Sequence, residues 1–105
     1  MKDVCARFIS LVERGEYYDA HELLEELWFP RRFEKSAEVL LIKGYINAST
    51  AFELAKRGRR DAALRTWRVY LKYRPLRNSI ASDTAEVFSE VESALERVYG
   101  HLLGE

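Results

Sequence analysis

The chain has one cysteine, so no disulfide can close within it, and Cys5 in an apolar-periodic stretch reads as a small core residue. Net charge is lacking too. Seventeen basic and seventeen acidic side chains cancel, leaving no global field to draw the chain to nucleic acid or an acidic membrane. No apolar run is long enough to span a bilayer, and Met1-Lys2-Asp3 does not open into the apolar stretch of a secretory signal. The expected setting is a reducing cytoplasm, with no membrane partner. No glycine-rich phosphate loop occurs, and no serine or cysteine stands beside a recognisable base. What is there is 105 residues, nearly half apolar and about a third charged, which fits one folded domain spanning 1–105.

Apolar residues recur at helical spacing throughout. Val4, Cys5, Phe8, Ile9, Leu11 and Val12 form one stripe that ends at Gly15. Tyr17, Ala20, Leu24, Leu27 and Trp28 form a second, stopped by Pro30 and the polar loop through Lys35. Ser36 is placed to cap a third helix from about Ala37 to Arg57, closed by Gly58. A fourth should turn Leu64, Trp67 and Leu71 inward and end at Pro75. Asp83-Thr84-Ala85-Glu86 reads as a capping box before a last helix carrying Val87, Phe88, Val91, Ala94, Leu95, Val98 and Leu102. No strand signal competes. The expected fold is an all-α compact bundle of about five helices.

The third helix differs from the others. From Val39 to Phe52 its only charge is Lys43, so it should be central and largely buried, with Gly44, Ala48, Ser49, Ala51 and Ala55 letting neighbouring backbones come close. Gly15 with Ala20 and Gly58 with Ala63 repeat one pattern 43 positions apart, as two similar helical hairpins would.

The second helix carries the densest chemistry, in Ala20-His21-Glu22-Leu23-Leu24-Glu25-Glu26-Leu27-Trp28. His21 and Glu25 are one turn apart, as are Glu22 and Glu25, and Trp28 falls close to His21. On the third helix Lys43, Asn47 and Thr50 share a face. A buried ammonium must be paired, so Lys43 is expected to meet Glu25, with Glu22 next in line. A structural network would have His21 bond a neighbouring helix and Glu25 neutralise Lys43. A functional site would gather His21, Glu22, Glu25, Trp28, Lys43 and Asn47 around a small ligand. His21 and Glu25 could also serve acid–base chemistry in a small hydrolase, although no catalytic residue can be assigned from spacing this common. Metal is not expected: glutamate stands where a metalloprotease helix has its second histidine, and Lys43 would repel a cation. The only other histidine, His101, belongs to the last turn. Nothing in the pattern calls for a cofactor.

Charge is balanced but segregated. Between Lys56 and Arg77 stand nine cations against Asp61 alone, whereas Glu13 to Glu26 holds six acids and Asp83 to Glu96 five. Arg65, Arg68 and Lys72 recur as a stripe that could follow a phosphate backbone, with Tyr70 and Tyr73 beside it for stacking. The neutral total argues against nucleic acid and for pairing of the basic helix with acidic ones. Six tyrosines, with Phe29 and Phe33, are more aromatic surface than one small core absorbs, which leaves room for a homodimer.

Gly15-x-Tyr17-x-x-Ala20-His21-Glu22-x-x-Glu25-x-x-Trp28, then Leu41-Ile42-Lys43-Gly44-Tyr45-Ile46-Asn47, then Gly58 and Ala63, resembles the domain-of-unknown-function family numbered 309. The likeness covers about residues 8–75, and Ala-His-Glu-x-x-Glu-x-x-Trp is its specific part. Lys43 and Asn47 stand where the family typically has glutamines. The resemblance implies a compact helical fold around one central helix and implies no activity. The expected function is that of a non-enzymatic helical module binding a protein or small-molecule partner at the polar face of helices two and three.

Overall fold

The computed structural model describes residues 1–104 and is all-α. Its helices are α1 (Lys2–Glu13), α2 (Tyr17–Trp28), α3 (Ala37–Lys56), α4 (Arg60–Tyr73) and α5 (Ser82–Leu102). Two 3-10 segments, Phe29–Arg31 and Arg74–Ser79, follow α2 and α4. Each contains one of the two prolines in its first turn, where a missing N–H costs nothing.

The short connections α1–α2 and α3–α4 are built alike. Gly15 and Gly58 take φ of +79° and +78°, a left-handed conformation that glycine adopts without strain. The following N–H groups reach back to the helix just ended, from Glu16 to the Leu11 carbonyl and from Arg59 to the Leu54 carbonyl, each at 2.9 Å. Gly15 and Gly58 themselves donate to Val12 and Ala55, which completes the same C-terminal motif twice. Ala20 and Ala63, five residues past each glycine, are both fully buried. The weak repeat in the sequence is therefore a repeat in three dimensions: two antiparallel helical hairpins.

α3 lies between α2 and α4 and also touches α5, whereas α1 packs on α2 and α5. Its N-terminus is held by the Ser36 hydroxyl, which accepts the Val39 N–H at 3.3 Å. Gly44 faces α4 at backbone range, since a Cβ there would meet Tyr73 Cβ at 3.3 Å and Tyr70 Cα at 3.6 Å. Ser49 is buried and satisfied within its own helix, donating to the Ile46 carbonyl at 2.9 Å. Aromatic rings link the layers: Tyr17 to Phe52 (5.4 Å), Phe52 to Trp67 (5.6 Å) and Trp67 stacked on Tyr99 (4.4 Å between centroids). Cys5 is buried in the same core, and desolvation pushes its thiol up to about 11.

Two local expectations are corrected. Leu71 is 42 % exposed, because Ala63, Trp67 and Tyr70 occupy the inward stripe of α4 and Leu71 lies a residue beyond it. α5 begins at Ser82 with Ala81 before it, so Asp83 makes no capping box and instead lies in the first turn, where its charge suits the helix dipole. α3 is buried on most but not all of its circumference. Lys43 is exposed and Asn47, Thr50 and Leu54 are part-exposed, a strip at successive helical turns that no other helix covers.

The charged group that is buried lies elsewhere. Glu92 on α5 is 4 % exposed, accepts the Tyr45 hydroxyl at 2.7 Å, and receives the Arg77 Nε at 2.7 Å through its other oxygen. One turn on, Glu96 accepts from the Tyr70 hydroxyl and from Arg74, both at 2.9 Å. Burial, with the carboxylate as acceptor, drives the Tyr45 phenol far above its usual range, and burial together with the Glu96 charge does the same to Tyr70. These contacts tie α5 to α3, α4 and the second 3-10 segment. Truncation by Glu92→Ala strands the Tyr45 hydroxyl and is expected to cost about 2 kcal/mol in urea unfolding. Glu96→Ala, at a half-exposed pair, should cost less than about 1 kcal/mol.

Candidate functional site

α2 and α3 run antiparallel, and the uncovered strip of α3 forms one wall of a groove whose other wall is α2. At one end a pocket of about 250 Å³ is lined by His21, Glu25, Trp28, Lys43, Ile46, Asn47 and Thr50. A second pocket of about 220 Å³ continues past the shared His21 and Thr50 to Tyr17, Tyr18, Glu53, Leu54 and Arg57. Helical spacing explains the lining. His21, Glu25 and Trp28 recur one turn apart on α2, opposite Thr50, Asn47 and Lys43 in reverse order on α3.

Of the residues singled out in the sequence, His21, Glu25, Trp28, Lys43 and Asn47 thus meet in one pocket. Glu22 is exposed and does not line it. The expected ion pair between Lys43 and Glu25 does not form, and Lys43 makes no ion pair among the described residues. The reason is solvent. Because the α3 strip is open, the long Lys43 stem carries its ammonium into water, and no carboxylate is needed to neutralise it. Nor does His21 bond a neighbouring helix. Its Nε2 lies 3.3 Å from Glu25 Oε2 and its Nδ1 3.6 Å from Glu22 Oε1, both on α2 itself.

The remaining polar groups are mostly occupied within α3. Asn47 donates one Nδ2–H to the Lys43 carbonyl at 2.8 Å, which leaves its second N–H and its side-chain oxygen without a protein partner among the described residues. Thr50 donates to the Ile46 carbonyl at 3.1 Å. At the far end Glu53 binds Arg57 at 3.0 Å. Burial, and the Glu53 charge, raise the Tyr17 phenol. His21, Glu22 and Glu25 present ligand atoms within 4.8 Å of one another, so they are the donors among the described residues that could approach a metal ion together. Two of the three are half-exposed carboxylates, and Lys43 shares the pocket with the histidine.

The basic stripe also resolves. The cations nearest α5 are paired, Arg74 with Glu96 and Arg77 with Glu92. Arg65, Arg68 and Lys72 are exposed on the opposite face of α4 and make no ion pair among the described residues. Pairing between basic and acidic helices therefore accounts for the end of the basic run and not for its middle.

An all-α bundle of two similar hairpins closed by a fifth helix, with an open polar groove on its second and third helices, is the class of protein the geometry defines. The family model described as "Domain of unknown function (DUF309)" matches residues 5–66, more than half of the chain and the whole of the groove, and the chain belongs to that family. Neither the curated proteins nor the solved structures contain a match.

The Glu92 site escaped the sequence reading, although a signal was present. Glu92 lies one turn beyond Phe88 and between Val91 and Leu95, all buried, so a carboxylate falls on the apolar stripe of α5. Since the groove carboxylate neutralises no buried charge, Glu25→Gln and Lys43→Met should each change stability by no more than about 0.5 kcal/mol, measured by urea unfolding.

Proposed function

We propose that the groove between α2 and α3 binds a small anionic ligand with a flat apolar part, and that the protein acts as a binding module rather than an enzyme. One observation carries the reading: Lys43, without a carboxylate partner among the described residues, stands in the same pocket as Trp28, His21 and Asn47. An ammonium on a mobile stem meets an anion in water, the indole and Ile46 take apolar surface, and His21 and Asn47 fix orientation. The lining has no serine or cysteine among the described residues. Its hydroxyl, on Thr50, is turned back to its own helix, while Cys5 and Ser49 belong to the core. A cytoplasmic setting goes with this reading, as does the free, buried thiol.

The test is an amide-shift titration with inorganic phosphate and simple aromatic carboxylates. Shifts should cluster at His21, Trp28, Lys43 and Asn47, and Lys43→Met should weaken binding at least about tenfold, or 1.4 kcal/mol. Shifts scattered over the surface, or indifferent to Lys43→Met, would remove the proposal.

The unpaired stripe Arg65, Arg68 and Lys72 supports a second reading, contact with a phosphate backbone. Three neutralised phosphates predict a log–log salt slope of about −3 for a short labelled duplex, reduced by about one unit in Arg68→Ala. Fluorescence anisotropy at low salt measures it, and no association there would exclude it.

A further inference from the structure

Two exposed phenylalanines stand on the turn after α2, where Phe33 is 83 % and Phe29 56 % exposed. They are organised around a cation. The Arg32 guanidinium lies 3.7 Å from the Phe29 ring centroid and 4.5 Å from that of Phe33, and its Nη1 donates to the Phe29 carbonyl at 2.6 Å. Arg31, beside it, is bound to Glu34 and Glu38. Arg32 makes no ion pair among the described residues. The result is a protruding knob of two phenyl rings with one unspent positive charge between them.

An acidic hollow of complementary character lies at the same end of the bundle. α1 and α5 are parallel, since Met1 and Lys2 meet the first turns of α5 while Arg97 binds Glu13 at the other end, at 2.7 Å. α2 is antiparallel to α1, so its C-terminus and the knob return to the Met1 end. There Asp83, Glu86, Glu90, Val87 and the 41 % exposed Met1 line a hollow of about 410 Å³. None of the three acids is in an ion pair among the described residues, and Lys2 is the one side-chain cation of the lining.

We propose that two copies of this chain pair through this end, each seating its Phe29–Arg32–Phe33 knob in the acidic hollow of the other. Because both surfaces lie at one end, a single two-fold axis satisfies both contacts at once and closes the assembly at two. The phenyl rings lose water against Val87 and Met1, and Arg32 gains a carboxylate in a partly desolvated place. The surface is separate from the α2–α3 groove, so it stands whether or not that groove binds an anion.

Sedimentation equilibrium of the full chain over a range of protein concentration and salt tests the proposal. The wild type should reach dimer mass and dissociate more readily as salt rises. Phe33→Ser and Arg32→Glu should each weaken association at least tenfold, with helical circular dichroism unchanged because Phe33 is exposed and the part-exposed Arg32 lies outside the α-helices. Combining Arg32→Glu with Glu86→Lys and Glu90→Lys should restore it. A wild type that is monomeric throughout, a dimer insensitive to Phe33→Ser, or a charge exchange that fails to restore pairing would each overturn it.

Discussion

The arrangement depends on one buried carboxylate. Glu92 sits inside the apolar stripe of α5, where a charge is costly unless its lone pairs are used, and both of its oxygens are used. One holds the phenol of Tyr45, which fixes a large ring in the middle of α3. The other holds Arg77, which anchors the chain as it passes from α4 to α5. A helix packed by apolar contact alone could slide or rotate by a fraction of a turn, whereas hydrogen bonds of fixed direction allow one register. With α5 fixed across α1 and α3, the two hairpins are fixed relative to each other.

That closure accounts for the groove as much as for the core. α4 is drawn against α3 at Gly44, and α5 covers another side, so three neighbours are not enough to surround a helix of twenty residues. The strip left over carries Lys43, Asn47 and Thr50, residues that tolerate water, opposite the one segment of α2 that carries a histidine and a part-exposed tryptophan. Polar residues on an otherwise apolar helix mark where the bundle is open.

Much of this was legible in the sequence. Helix positions, the Ser36 cap, the twin glycines and the gathering of His21, Glu25, Trp28, Lys43 and Asn47 all follow from spacing. The error came from one physical assumption. A helix with a single charge over fourteen residues reads as largely buried, which gives Lys43 need of an acid, whereas a lysine at the edge of an apolar strip reaches water by its own length. Glu92 shows the opposite failure. In a helix with five acids in its first fifteen residues, any one of them reads as solvent-facing, and only the register of Phe88, Val91 and Leu95 marks Glu92 as inward. Long-range partners such as Tyr45 and Arg77 have no local signature at all.

Gly44 has a consequence for how such a chain can diversify. Because a Cβ at Gly44 would already meet Tyr73 Cβ at 3.3 Å, a side chain longer than alanine there would push the helices apart. The seam between α2 and α3 is lined by flexible side chains that few neighbours rely on. Substitutions along it can alter size, charge and hydrogen bonding while the scaffold underneath stays as it is. Selection can thus retarget one flank of the central rod while the other stays rigid.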